Sequence, residues 1–218
     1  MPFQSSLFSS ASKEHIVLPN AHIVYFPQWV QAIELPTDYS ALYNTLRQQV
    51  AWEQSTIYLY GKPMLIPRLN AWYGDKQCGY TYSARYFEPL PWLPILLDIK
   101  QAVETALSDE LNGVVFNSAL VNCYRDGQDS VAWHSDNEPE LGNQPLVASV
   151  SLGAERVFEL RHNERPNNKK QTIMLGDGDL LLMAGDTQRY WQHQIPKSTT
   201  VTGERISITF RHIMHKNG

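Results

Sequence analysis

The chain has 218 residues, 43% of them hydrophobic and 18% charged. That is long enough to bury one substantial core and too apolar for a disordered chain. A formal net charge of -4 excludes a global positive field, so any nucleic-acid partner must be held by a local basic patch.

Residues 1 to 14 are polar, serine-rich and without periodicity, and read as a flexible lead-in to one domain over 15–218. They lack a basic stretch followed by an apolar one, and no apolar run is long enough to span a bilayer. Cys78 and Cys123 lie far apart without metal-site spacing, as two reduced thiols would. We therefore expect a cytoplasmic protein (nuclear in a eukaryote), monomeric and without a membrane partner.

The first helix is predicted from Pro36-Thr37-Asp38 to about Trp52. Thr37 or Asp38 can cap it, and Leu42, Leu46 and Val50 recur at four-residue spacing. A second follows Pro91, with Leu96, Ile99, Val103 and Leu107 on one face and Asn112-Gly113 at its end. From Val114 onward short β-rich runs take over: Val114–Tyr124, Leu146–Leu152, Arg156–Arg161, Gln171–Leu175, Asp179–Ala184 and Arg205–Ile213. Asp126-Gly127, Gly153-Ala154, Gly176-Asp177-Gly178 and Gly185-Asp186 separate them as turns. The fold expected is mainly β with flanking helices, a β-sandwich or jelly roll.

Four weak signals carry chemistry. His134-Ser135-Asp136 sets an imidazole and a carboxylate two residues apart, on the same side of an extended backbone. Alone it reads as a surface turn. His193, in Tyr190-Trp191-Gln192-His193-Gln194-Ile195-Pro196-Lys197, would complete two histidines and a carboxylate. That is the ligand set of non-haem Fe(II) oxygenases, although hydrolytic zinc uses similar ligands. In Arg205-Ile206-Ser207-Ile208-Thr209-Phe210-Arg211, a strand would put Arg205, Ser207, Thr209 and Arg211 on one face and the apolar residues on the other. Two guanidiniums on a buried face need anionic partners, and a dicarboxylate supplies two; the alternative is a half-exposed edge strand with solvated arginines. Asn122 and Tyr124 share one strand face and offer an amide and a phenol to an oxygen-rich ligand.

In this order, Asn122-x-Tyr124, His134-x-Asp136, His193 with Ile195-Pro196-Lys197, then Arg205 and Arg211, the residues resemble the AlkB family. Pro67-Arg68, Tyr73-Gly74-Asp75, Gly79-Tyr80-Thr81-Tyr82 and Ala148-Ser149-Val150-Ser151-Leu152-Gly153 also look like its DNA-repair branch. The resemblance covers about residues 55 to 213 and implies a double-stranded β-helix (jelly-roll) core over about 114–213, with a nucleotide-recognition part over about 55–90. It assigns Fe(II) to His134, Asp136 and His193, and 2-oxoglutarate to Arg205, Arg211, Asn122 and Tyr124, with Ser207 and Thr209 on the same face. Ser207 stands where related repair enzymes often carry Asn; it keeps a donor and an acceptor but reaches less far. The implied reaction is oxidative dealkylation of N-alkylated bases such as 1-methyladenine and 3-methylcytosine. It consumes 2-oxoglutarate and O2 and yields succinate, CO2 and an aldehyde.

A stacked base must be extruded or presented on a single strand to be reached. By resemblance, Tyr80 and Tyr82 would stack on it, Glu138 would contact it in the pocket, and Tyr60, in Tyr58-Leu59-Tyr60-Gly61-Lys62, would wedge into the duplex. The locally basic stretch Arg161 to Lys170, with Arg156, could track phosphates. The partner expected is alkylated DNA, with RNA as the other nucleic acid. Three rivals stand beside this reading: the same chemistry on RNA or protein, a non-catalytic module that binds modified bases, and a zinc hydrolase. Metal content and oxoglutarate turnover separate them.

Overall fold

The structure, a computed structural model, describes residues 12–59, 61–82, 85–164 and 169–214. Two strands come first, β1 (Glu14–Ile16) and β2 (His22–Phe26), and then helix α1 (Tyr39–Gln49). Asp38 caps α1 by accepting the Ser40 N–H, and Leu42 and Leu46 are buried beneath it. The helix ends at Gln49 and the cap residue Val50 is extended, so the predicted end near Trp52 was about a turn late. Next come β3 (Thr56–Leu59), β4 (Lys62–Leu65), β5 (Leu69–Gly74), β6 (Tyr80–Tyr82) and β7 (Arg85–Phe87). Helix α2 (Pro94–Ala106) carries proline at its first position, where the absent N–H costs nothing. Short α3 (Ser108–Leu111) closes at Asn112, whose φ of 49° is left-handed, as the predicted Asn112-Gly113 stop requires.

The β-rich half contains β8 (Ser118–Tyr124), β9 (Val131–His134), β10 (Val147–Gly153), β11 (Arg156–His162), β12 (Gln171–Leu175) and β13 (Leu180–Ala184). It finishes with a single turn, α4 (Thr187–Tyr190), then β14 (Trp191–Ile195) and β15 (Arg205–Arg211). The strands form a major sheet in the order β1-β2-β13-β10-β15-β8-β5 and a minor sheet in the order β12-β11-β14-β9. Two small hairpins, β3-β4 and β6-β7, stand apart. Sequential neighbours such as β10 and β11 lie in different sheets, and all the sheet pairings are antiparallel, as a jelly roll demands.

The two faces of the major sheet explain its composition. Leu180, Leu182 and Ala184 of β13 join Ile206, Ile208 and Phe210 of β15 and the buried faces of α1 and α2 in one cluster. The alternate residues Leu181 and Met183 point into the space between the sheets, where they meet Phe158, Leu160, Ile173, Leu175, Trp191 and Ile195. A strand covered on both sides reads as an unbroken apolar run. That is why Leu180–Met183 shows no alternation.

Candidate active site

The space between the sheets narrows to a cavity whose wall includes His134, Asp136, His193, Asn122, Tyr124, Arg205, Ser207, Thr209 and Arg211. Every residue expected for metal and co-substrate therefore lines one space. The predicted polar face of β15 is real: its four polar residues face this cavity while Ile206, Ile208 and Phe210 fill the core beyond.

His134 ends β9, and its Cα partner across the sheet is His193 of β14, so two distant stretches of chain set the imidazoles side by side, ring centroids 4.2 Å apart. Asp136 follows two residues on. One ligand atom from each of His134, Asp136 and His193 lies within 4.8 Å of the others. The Nδ1 of His134 sits 2.8 Å from the Ala132 carbonyl. That contact fixes the proton on Nδ1 and leaves Nε2 as the lone-pair donor. His193 has no acceptor for its buried Nδ1 among the described residues; its ring is oriented instead by stacking on Phe158 at 5.2 Å.

The charge states suit a cation. Burial pushes the His193 imidazole down to about 3, with His134 adding to the effect, and burial likewise lowers His134, so both rings are neutral at pH 7. Burial alone would raise Asp136, but Arg211, aided by both imidazoles, outweighs it and holds the carboxyl at about 2. An Arg211 Nη2 donates to Asp136 Oδ1 at 2.7 Å, while Oδ2 lies 3.9 Å from His193 Nε2. Two neutral imidazoles and one carboxylate make a donor set that fits a divalent ion such as Fe(II).

Arg205 tells a complementary story. It is fully buried, and its Nη2 donates to Ser151 Oγ at 2.8 Å. Its Nε and Nη1 have no partner among the described residues. Tyr124 lies beneath, its ring centroid 5.4 Å from the guanidinium. Burial, with Arg156 adding to it, lowers the Arg205 pKa against the pull of Tyr124 and Asp179, and a carboxylate entering the cavity would meet two waiting donors. Ser207 Oγ lies 3.1 Å from Ser149 Oγ, a pairing that leaves its short side chain close to the wall.

A second cavity adjoins the first and shares Arg68, Leu120, Val131, His134, Asp136 and Arg211 with it. Its further wall includes Trp72, Glu138, Glu140 and Leu141. Glu138, expected as a pocket contact, is thus beside the triad, and burial together with Asp136 raises its pKa. Arg68 lines both spaces. Its Nε donates to Asn122 Oδ1 at 2.9 Å and its Nη1 to the Ser130 carbonyl at 3.2 Å. The sequence marked Pro67-Arg68 by resemblance, without a role for the arginine.

Arg156 departs from expectation. It is 1% exposed, and its guanidinium donates to the carbonyls of Asp126, Asp129 and Pro196 at 2.8 to 3.0 Å. A side chain clamping three loop carbonyls inside the protein cannot also track phosphates, so its role is to tie two loops together. Arg161 and Lys170, from the same basic stretch, flank the Trp133 ring at 4.4 and 5.3 Å. Residues 165–168 and Tyr60 lie outside the described residues; Tyr80 and Tyr82 belong to β6, with side chains likewise outside what is described.

Residues 22–211 match the family model of the 2OG-Fe(II) oxygenase superfamily. The chain is 42% identical over 179 residues to the alpha-ketoglutarate-dependent dioxygenase alkB homolog 3 of Bos taurus, covering 78% of this chain and 60% of that protein. It is 34% identical over 208 residues to the DNA oxidative demethylase ALKBH2 of Mus musculus, covering 86% of this chain and 85% of that one. It thus spans about 60% of the length of the alkB homolog 3 protein. A solved structure, "The structure of OsALKBH1", superposes with a TM-score of 0.60 at 18% identity over 92% of this chain and 100% of that chain, a likeness of fold.

Proposed function

The chain belongs to the 2OG-Fe(II) oxygenase superfamily and, within it, to the AlkB family, and from that premise we propose that it oxidatively removes alkyl groups from nucleobases; its ALKBH2 relative is named a DNA oxidative demethylase. The observation that carries the reading is one cavity joining the His134, Asp136 and His193 donor set to a buried Arg205 with two unpaired donors. A zinc hydrolase has no use for that arginine, and a pure binding module has no use for the donor set.

His134 Nε2, an Asp136 oxygen and His193 Nε2 would hold Fe(II), which with 2-oxoglutarate and O2 supplies the oxidising power to hydroxylate an N-alkyl carbon. The protein's part is to bind, orient and shield. Arg205 would pair with the distal carboxylate of 2-oxoglutarate. The Asn122 amide, the Tyr124 phenol, Ser207 and Thr209 would complete the polar wall around it, while Arg211 steadies Asp136 by its hydrogen bond. The outer cavity would take the base, with Glu138 meeting its exocyclic nitrogen edge. Tyr80 and Tyr82 would stack on it and Tyr60 would enter the duplex, in keeping with the family resemblance. The products would be the repaired base and an aldehyde, with succinate and CO2. Free, buried Cys78 and Cys123 suit a reducing compartment, as ferrous iron does. Among the described residues no helix is long and apolar enough to cross a membrane.

The test is succinate and formaldehyde release from anaerobically iron-loaded protein given 2-oxoglutarate, O2 and an oligonucleotide bearing 1-methyladenine, with His134→Ala as control. Formaldehyde in step with lost methyl groups, absent in the control, is expected. Succinate without demethylation would move the substrate elsewhere, and neither product despite bound iron would return the chain to the binding-module reading. DNA and RNA versions of the same oligonucleotide separate the two nucleic acids.

A further inference from the structure

β9 ends at His134, so the backbone N–H of Asp136, two residues later, lies past the strand and has no ladder partner. Asp136 is buried, and an unsatisfied N–H there would be costly. The partner comes from a side chain. Gln188, in the single turn α4, is 1% exposed, and its Oε1 accepts the Asp136 N–H at 3.0 Å. Its Nε2 lies 3.5 Å from Met183 Sδ. This orientation is the chemically consistent one, because the flipped amide would aim NH2 at another donor.

The same corner grips the loop a second time, where Ser135 Oγ donates to the Trp191 carbonyl at 2.9 Å. Trp191 opens β14, two residues before His193. The corner is itself anchored: Thr187 Oγ1 donates to the Ala184 carbonyl at 2.6 Å and accepts the His22 N–H at 2.9 Å. Arg211 holds the Asp136 carboxylate from one direction and Gln188 holds its backbone from another. The carboxylate can then stand at one fixed place relative to His193, on the strand that α4 leads into.

We infer that Gln188 is a positioning residue for the metal site: by accepting the Asp136 N–H it sets the carboxylate against the two imidazoles. The inference rests on reading His134, Asp136 and His193 as metal ligands. Outer partners of ligands of this kind typically change metal affinity about 10–100-fold when removed.

The test is Mn(II) binding to the full chain, followed by electron paramagnetic resonance, with melting temperature recorded in parallel. Gln188→Met fills the same space without an acceptor; Gln188→Glu keeps a carboxyl oxygen for the Asp136 N–H. The Met variant should bind Mn(II) about 10–100-fold more weakly, while the Glu variant keeps wild-type affinity. Equal affinity in wild type and the folded Met variant overturns the role of Gln188, as does a Glu variant as weak as the Met one. If the Met variant does not fold, Gln188→Asn, too short to reach, replaces it in the comparison. Wild-type protein with no Mn(II) affinity overturns the metal site itself, and the inference with it.

Discussion

Replacing Arg205 with methionine should move stability and co-substrate affinity in opposite directions. In the ligand-free protein this guanidinium is buried, held by Ser151 and Tyr124, and pairs with no carboxylate among the described residues. Exchanging an uncompensated buried charge for an apolar side chain of similar length gains roughly 1–4 kcal/mol, less about 1 kcal/mol for the Ser151 hydroxyl left without its donor. Two charge-assisted hydrogen bonds to an incoming carboxylate contribute about 1.5–3 kcal/mol each. Losing them weakens 2-oxoglutarate binding by about two to four powers of ten, at about 1.4 kcal/mol per power. The assay is thermal denaturation with Mn(II) present, with and without 2-oxoglutarate. Wild type should melt higher with the ligand; Arg205→Met should melt at or above the ligand-free wild type and not respond. A variant that melts lower yet keeps the full ligand shift would refute both halves of the reasoning at once.

Ser207→Asn should lower the KM for 2-oxoglutarate about two- to tenfold, the worth of one added hydrogen bond from a longer amide; an unchanged or higher KM in steady-state kinetics would count against Ser207 facing the co-substrate. Asp129, buried and bonded to Arg125 by both oxygens, has its pKa lowered from 3.8: burial works against this, and the Arg125 hydrogen bonds outweigh it. A depressed carboxylate stabilises the fold above its unfolded pKa and ceases to do so as pH falls through the folded one. Urea unfolding should therefore show wild type ahead of Asp129→Asn by about 1–3 kcal/mol at pH 6, with the gap closing below pH 3.8; a gap that persists at the lowest pH where both fold would be the contrary result. A Cβ at Gly127 would stand 2.3 Å from the Ser198 carbonyl oxygen and 2.6 Å from that of Val201. Gly127→Ala should cost about 1–3 kcal/mol, read as a lower urea midpoint.

The site was legible where the chemistry is local. The i, i+2 spacing of His134 and Asp136, given meaning by His193, and the alternation along β15 could be read from the residues, and the structure brings both to one cavity. The pairing of His134 with His193 across β9 and β14 was not, since β9 is short and shows no alternation and the partnership depends on long-range register. β2 was missed although Pro19-Asn20, with Asn20 at φ 56°, turns the chain between it and β1: His22–Phe26 is short and nearly unbroken apolar sequence, without the alternation that marks a strand. Arg156 misled because a basic residue beside a basic loop reads as a surface charge, whereas carbonyls from two other loops converge on it. Gln188 was invisible altogether. A buried amide declares its partner only once the chain has folded around it.

The inner and outer cavities meet at a shared wall of His134, Asp136 and Arg211. A dicarboxylate seated by Arg205 and a flat heterocycle held beside Glu138 would therefore be near neighbours, and a short tether could span them. Joining the two converts the second docking event into an intramolecular one, with an effective concentration in the millimolar range for a short flexible linker. The partition between these chambers thus offers a route to compounds that grip this protein through both ends and ignore oxygenases lacking the second room.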